Sequence, residues 1–146
     1  MVQLHSVSDQ AQVLDTMIGL TGLSHLQRAI IAGGGGTELC LGLRRRGFMR
    51  VATISTSWLP RRQHAIGLLA DRSSAALEKT LTEISPFLST SATIALLIDA
   101  DESHSSLGIR AKLQQMGFQI EAGVRCQQGL VLSACRRGFG QMEKAA

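Results

Sequence analysis

The stretch that decides the fold is Ile30-Ile31-Ala32-Gly33-Gly34-Gly35-Gly36-Thr37-Glu38-Leu39, in which a short apolar run stops at four glycines. The apolar run, which begins near residue 28, is typical of a buried strand, and residues 37–46 have the pattern of a helix. Glycines between a strand and a helix let the backbone turn tightly and approach a ligand in front of the helix N-terminus, whose free amides favour anionic or polar groups. The stretch therefore predicts a binding loop at residues 33–37.

The glycines match neither of the two common nucleotide-binding fingerprints. A P-loop requires Gly-Lys-Ser/Thr, which does not follow here. The dinucleotide motif GxGxxG requires a final glycine, but a motif starting at Gly33 or Gly34 ends on Glu38 or Leu39. The ligand of the loop must therefore be inferred from the rest of the chain.

Strands and helices alternate on both sides of the glycines. Apolar runs predict further strands at 50–54, 65–70, 93–98, 118–124 and 130–135. Helical spacing predicts helices at 8–20, from Ser73 or Ser74 towards Pro86, and from Ser105 or Ser106 to Met116. This order predicts a single α/β domain over residues 1–146, with an N-terminal helix within 1–22 and a disordered tail at 138–146. Its sheet is doubly wound, mostly parallel and Rossmann-like, with helices on both faces and a C-terminal antiparallel hairpin.

This pattern resembles the class I S-adenosylmethionine-dependent methyltransferases over residues 27–137. Residues 33–39 are similar to the family's first motif, Ala70-Asp71 to the end of its fourth strand, and Met116-Gly117-Phe118 to the entry into its sixth strand. Residues 87–91 resemble the loop into its fifth strand, and residues 129–136 its antiparallel seventh. The resemblance implies that S-adenosylmethionine is bound by Gly33, Gly34, Gly35, Gly36, Thr37, Ser55 and Asp71. It also implies that Asp71, Arg72 and residues 58–64 contact an unknown methyl acceptor.

The sequence departs from the family at four places. Ile31 stands where the family has an acid before the glycines, and Thr37 where it has its third motif glycine. Ser55 replaces the acid that holds the ribose hydroxyls. About nine residues separate the second strand from the next, so the family's third strand is missing. These departures support an alternative of nearly equal weight, in which the domain is a non-catalytic binding or assembly module of the same fold.

Composition excludes several other classes of protein. Aromatic residues make up 3% of the 146 residues and Tyr is absent, so stacking platforms for single-stranded nucleic acid are disfavoured. No apolar run reaches the roughly 18–20 residues of a membrane span, and the first residues lack a signal peptide's basic start and apolar block. Cys40, Cys126 and Cys135 lack the CxxC spacing of a zinc site. A hairpin turn at 127–128 would pair Cys126 with residue 129 and Cys135 with residue 120, which keeps the two thiols apart. We therefore expect reduced cysteines and a cytoplasmic protein.

Positive charge is concentrated in one segment. Residues 28–62 hold seven arginines and one acid, Glu38, which gives +6, whereas the remaining eight basic and ten acidic groups give −2. Such a segment can attract phosphate-bearing partners, which is a third and weaker alternative. A solvated face with a basic helix end at residues 44–46 is the preferred interpretation. Any polyanion binding should be weak and strongly dependent on salt.

Three further features of the sequence concern metal binding, catalysis and assembly. Asp99, Asp101, Glu102 and His104 could hold a divalent cation, but a solvated turn that caps the next helix is preferred, so no metal site is predicted. His64 is expected in a solvent-exposed loop, and no residue has a spacing that identifies it as catalytic. The strand at 50–54, without a third strand to cover it, predicts a homodimer formed through that edge or through the loop around Trp58.

Overall fold

The computed structural model describes residues 2–54, 59–71, 73–99 and 106–136, with the backbone alone described for 2–10, 99 and 106. In chain order its elements are α1 (Val2–Thr21), β1 (Ala29–Ala32), α2 (Gly36–Arg45), β2 (Val51–Thr53), β3 (His64–Ala70), α3 (Ser74–Ile84), a 3-10 turn (Ser85–Phe87), β4 (Leu88–Asp99), α4 (Ser106–Gln115), β5 (Phe118–Cys126) and β6 (Gly129–Arg136). Within these ranges no helix is both long and apolar enough to cross a membrane.

The six strands form one sheet in the order β2-β1-β3-β4-β6-β5. β1 pairs in parallel with β2 and β3, and β3 pairs in parallel with β4, whereas β6 is antiparallel to both β4 and β5. From β1 the chain moves to β2 on one side and later to β3 on the other. The strand order therefore reverses beside β1, and the glycines follow β1 directly. Ligands of doubly wound sheets bind at such a point.

Helices cover both faces of the sheet, as predicted. On one face Met17 of α1 and Leu43 of α2 pack with Leu68 into a core that excludes solvent. On the other face Leu81 of α3 and Ile109 of α4 pack with Leu69 in the same way. Adjacent residues of β3 thus point into opposite cores, because successive side chains of a strand alternate between faces.

The connection from β2 to β3 contains no helix or strand among its described residues. β2 is the outermost strand on its side of the sheet, and the described residues place no strand next to its free side. This confirms the prediction that the third strand is missing. Ile54 and Leu59 lie on either side of residues 55–58, which are outside the described ranges. Both side chains pack against the α3–α4 core. The Arg62 backbone N–H donates to the Pro86 carbonyl at 3.0 Å, which fixes the connection to the turn before β4.

Two element boundaries differ from the sequence predictions by five residues or more. α1 begins at Val2 instead of residue 8, and no proline or glycine in residues 2–7 interrupts a helix. β4 begins at Leu88 instead of residue 93, so residues 88–91 are strand and not loop. Leu88 is fully buried and pairs with His64. The polar run 89–91 conceals this extension in the sequence.

A bulge in β5 also corrects two expectations. The pairing with β6 shifts between Ile120 and Ala122, so Cys135 lies opposite Gln119 instead of residue 120. The extra residue in a bulge changes the face on which the following side chains lie. Val124, which simple alternation from Phe118 and Ile120 would place on the inward face, is 39% exposed.

His64 is buried, which corrects the expectation of an exposed loop histidine. It begins β3, is 3% exposed, and its Nδ1 lies 3.1 Å from the Phe87 carbonyl oxygen. A carbonyl only accepts, so Nδ1–H is the donor. Burial, with a smaller contribution from the positive charge of Arg28, lowers the pKa of His64 below the ordinary value of 6.5.

The depressed pKa of His64 predicts a loss of stability in mild acid. Below about pH 6.5 the unfolded chain takes up a proton that the folded chain refuses, so the free energy of unfolding falls as pH decreases, by at most about 1.4 kcal/mol per pH unit. Above that pH the full stability is present. Urea unfolding as a function of pH should show this slope in the wild type and in His25→Gln, but not in His64→Asn. An equal slope in His64→Asn would contradict the assignment.

β2 and β5 are the edge strands of the sheet. β2 spans three residues, and unpaired strand edges favour association with another chain. We propose the predicted homodimer through the β2 edge or Trp58, which lies outside the described residues. Light scattering at micromolar concentration should then give twice the 15.6 kDa mass of the chain. A monomer mass would contradict it.

Candidate functional site

The turn between β1 and α2 is pressed against the end of β3. Gly33 has φ +100°, a conformation that residues with a side chain rarely adopt. A Cβ on Gly33 would overlap the Ala70 carbonyl oxygen and lie 2.8 Å from Asp71 Oδ2. A Cβ on Gly35 would lie 3.2 Å from the Ala70 side chain. Glycine is therefore required at Gly33 on grounds of both conformation and space.

Hydrogen bonds fix this turn to the neighbouring elements. The Gly35 N–H donates to the Ala70 carbonyl at 3.1 Å, and the Gly34 N–H donates to Asp71 Oδ1 at 2.8 Å. The Thr80 hydroxyl, on α3, donates to Asp71 Oδ2 at 2.7 Å. Both carboxylate oxygens of Asp71 thus accept a bond from the protein itself. Asp71 connects the glycine turn to α3 and holds its shape.

A cleft of about 500 Å³ opens beside the glycine turn, between α1 and α2. Its lining comes from these helices, the turn, the ends of β3 and β4, and the turn before β6: Ala11, Val13, Leu14, Gly34, Gly35, Glu38, Leu39, Gly42, Arg45, Arg46, Ala70, Asp71, Leu97 and Gln128. Apolar side chains form much of the wall, and charged groups stand at separate points along it. A cleft of this size and composition suits a small molecule with an apolar body and polar ends.

The amino-terminal end of α2 lies at this cleft. Its N-cap is Gly35, which has no side chain to cap the helix, and Gly34, Gly35 and Glu38 all line the cleft. The partial positive charge of a helix N-terminus favours an anionic group of a ligand there. Glu38, in the first turn of α2, adds a carboxylate to the cleft. This carboxylate favours a ligand that carries a cationic group beside its anionic one.

The structure brings most of the predicted cofactor residues together. Gly34, Gly35 and Asp71 line the cleft, whereas Gly33 and Gly36 support the turn behind it. Thr37 is exposed on α2 and is not among the lining residues. Ser55 and Arg72 lie outside the described residues, as do 101–104 of the acidic turn. No group of three or more His, Cys, Asp or Glu that could hold a metal occurs in the part of the chain that is described.

Sequence reasoning missed the contribution of α1. Ala11, Val13 and Leu14 form one wall of the cleft. α1 approaches α2 closely at Gly42, where a Cβ would lie 2.6 Å from Leu14 Cδ2. A glycine inside a helical pattern often marks such a contact, and Gly42 was the available signal.

Comparison with known proteins reveals a likeness at the level of structure. No protein-family model and no curated protein matches the sequence. Among solved structures, the ribosomal protein L11 methylase of Lactobacillus delbrueckii subsp. bulgaricus superposes with a TM-score of 0.62 at 11% identity, over 88% of this chain and 78% of that one. The 1,6-didemethyltoxoflavin-N1-methyltransferase of Burkholderia thailandensis, solved with S-adenosylhomocysteine bound, gives 0.56 at 12% identity over 88% and 78%.

The chain has the class I methyltransferase fold. Other structural neighbours include an S-adenosylmethionine-dependent methyltransferase from Aquifex aeolicus, with a TM-score of 0.57 at 13% identity over 87% of this chain and 89% of that one. At such identities the likeness establishes the fold alone. Activity has to be argued from the site, because one fold serves many chemistries.

Proposed function

We propose that this methyltransferase-fold domain binds S-adenosylmethionine in the cleft beside the glycine turn and transfers its methyl group to an acceptor. The observation that carries the proposal is the coincidence of three features: a glycine turn at the reversal of strand order, a helix N-terminus, and a cleft of about 500 Å³ in front of both. The Burkholderia neighbour, which holds the demethylated form of this cofactor, supports the same choice of ligand.

The residues of the cleft fit the amino-acid end of S-adenosylmethionine. Its carboxylate suits the amino-terminal end of α2, and its ammonium group suits Glu38. Apolar wall residues such as Leu14, Leu39 and Leu97 supply surface for the remainder of the molecule. When bound, the cofactor supplies an activated methyl group on a sulfonium centre.

The protein's own part in this chemistry is to hold and position. Asp71 fixes the glycine turn through Gly34, and Thr80 fixes Asp71, so the turn keeps one shape. Val13 and Leu14 of α1 give one wall of the cleft an apolar surface, which disfavours water beside a bound ligand. Transfer to an acceptor that is already nucleophilic depends mainly on alignment, so a dedicated acid or base is not required.

Two observations favour a second candidate, a non-catalytic module of the same fold. Ile31, at the position of the family's acid, is fully buried and cannot contact a ligand. In the sheet, the described residues place no strand on the outer side of β2. The resemblance implies that a strand there contacts the adenine. In that case the cleft or another surface serves binding or assembly.

We further propose a cytoplasmic location, which the free thiols of Cys40 and Cys126 favour.

Calorimetric titration with S-adenosylmethionine distinguishes these candidates. A missing charge-assisted hydrogen bond to the ribose costs about 1.5–3 kcal/mol, so we expect binding no tighter than high micromolar. Ser55→Asp should tighten it by about tenfold to a hundredfold, whereas Ser24→Asp, an equal change in charge on an exposed loop, should not. Low-micromolar binding by the wild type would show that affinity does not depend on an acid at residue 55 and would count against the non-catalytic module. No binding in either form would refute the cofactor proposal.

A further inference from the structure

The strand register places several arginines together where the parallel strands begin. This end of the sheet lies opposite the glycine cleft. Ala29 pairs with both Val51 and Ile66, so Arg28 and Arg50 stand side by side, one residue before their strands. Arg61 and Arg62 precede β3 at the same end of the sheet. β6 runs in the opposite direction and ends there with Arg136, which pairs with Phe118. We call Arg28, Arg50, Arg61, Arg62 and Arg136 the arginine edge.

Hydrogen bonds join the segments that carry these residues into one surface. Arg50 Nη1 donates to the Leu26 carbonyl at 3.2 Å, and the Ala29 N–H donates to the Arg50 carbonyl at 2.9 Å. Arg28 Nη1 donates to Gln63 Oε1 at 3.3 Å, which links the first segment to the third. Arg62 has φ +57°, a conformation that non-glycine residues rarely adopt. The side chains of Arg28 and Arg50 therefore occupy defined positions, as does the backbone of Arg62, whose N–H donates to the Pro86 carbonyl.

The positive charge of this surface has no acidic counterpart in the described residues. None of its five arginines forms an ion pair within residues 2–54, 59–71, 73–99 and 106–136, where Arg46 pairs with Asp15 instead. Arg136 donates to the Ser85 hydroxyl at 2.8 Å, while its buried Nε has no hydrogen-bond partner among those residues. Burial and then the charge of Arg62 lower the pKa of Arg136. Positive charge without an acidic counterpart favours the arrival of an anionic partner.

Exposed apolar side chains stand among the arginines. Leu26 is 78% exposed and lies two residues before Arg28, and Met49 is 70% exposed and lies next to Arg50. The exposed Leu41 and Leu107 lie elsewhere, on α2 and α4. Arginine and methionine are enriched where proteins contact one another.

We propose that the arginine edge, together with Leu26 and Met49, is the docking surface for an acidic, partly apolar segment of another protein. Carboxylates of that segment would pair with the guanidinium groups, and its apolar side chains would cover Leu26 and Met49. The surface is separate from the glycine cleft, so the proposal does not depend on cofactor binding.

This chemistry favours a protein partner over a nucleic acid. Phosphates would satisfy the arginines but leave Leu26 and Met49 exposed. The nearby aromatic rings are also occupied, since Phe48 stacks on His25 and Arg136 covers Phe118. Phe87, just before β4, is half-buried against the α3–α4 core. Base stacking, which usually accompanies recognition of single strands, therefore has no fully exposed Phe, Tyr or Trp ring among the described residues of this edge.

The experiment selects random 12-residue peptides displayed on phage against the intact protein and measures the affinities of the enriched peptides by fluorescence anisotropy. We expect the enriched peptides to combine Asp or Glu with large apolar residues. Arg28→Gln/Arg61→Gln should weaken their binding by about threefold to tenfold, and Leu26→Ser/Met49→Ser should weaken it as well. These four side chains are exposed, so folding should be preserved; circular dichroism of each variant verifies it. Arg110→Gln/Arg125→Gln, an equal loss of charge elsewhere, should leave binding unchanged.

Three outcomes would overturn the proposal. The first is enrichment of peptides that lack acids, or of none at all. The second is equal binding to all three double variants. The third is displacement of the selected peptides by an equal concentration of polyuridylate or of phosphatidylserine vesicles, which would assign the surface to nucleic acid or to a membrane instead.

Discussion

Gly33→Ala is expected to destabilise the domain by about 2–5 kcal/mol, enough to unfold a protein of ordinary stability. A residue with a side chain at φ +100° carries backbone strain of about 1–2 kcal/mol. The new Cβ would also overlap the Ala70 carbonyl oxygen, which belongs to a strand and cannot move freely. Relief would require the glycine turn to separate from β3, with loss of the Gly35 hydrogen bond.

Gly19→Ala is the matched control for this substitution. Gly19 lies inside α1, and a Cβ there would meet nothing within 4 Å. Alanine has the higher helix propensity, so this variant should be unchanged or up to about 1 kcal/mol more stable. Urea unfolding of both variants measures the difference. A Gly33→Ala protein as stable as the wild type would show that the turn is not packed against β3 as described.

Asp71→Ala should cost about 2–4 kcal/mol of folding stability and disorder the glycine turn. The substitution removes the acceptor of the Gly34 N–H and leaves the Thr80 hydroxyl, which is 8% exposed, without its partner. The loss at Thr80 costs more than the net value of a hydrogen bond, because a desolvated donor remains unsatisfied, whereas water can replace the acceptor of the exposed Gly34 N–H.

A double-mutant cycle with Thr80→Val isolates the second of these contacts. Thr80→Val removes the donor while keeping the shape of the side chain, so it should cost less than Asp71→Ala. The double variant should be more stable than the sum of the single effects implies, by about 1 kcal/mol, since neither partner is then left alone. Strict additivity in urea unfolding would contradict a direct bond between Asp71 and Thr80.

The sequence allowed the glycine turn and the succession of strands and helices along the chain to be predicted, because both rest on local signals. Four glycines after Ile30-Ile31-Ala32 permit few structures other than a tight turn after a buried strand. The alternation of apolar runs with helical stripes then selects a doubly wound sheet. The short connection between β2 and β3 predicted the missing third strand, since a dozen or more residues are needed for a parallel crossover with a helix.

The features that were missed depend on residues distant in the chain. His64 is buried because the Phe87 carbonyl, 23 residues later, accepts its hydrogen bond. Apolar and polar residues of β5 alternate both before and after its bulge. The sequence pattern therefore does not reveal that the side chains change from one face of the sheet to the other. The wall that α1 gives to the cleft arises from the contact of Leu14 with α2, for which Gly42 is a faint signal.

The central claim, that the glycine turn binds S-adenosylmethionine, is tested most directly by NMR of protein labelled with 15N-glycine. On titration with S-adenosylmethionine, the amide resonances of Gly34 and Gly35 should shift most, and that of Gly42 should shift to a smaller extent because it lines the far part of the same cleft. Gly108 and Gly117, which lie outside the cleft, should not shift. Shifts confined to those glycines, or none at millimolar cofactor, would contradict the account.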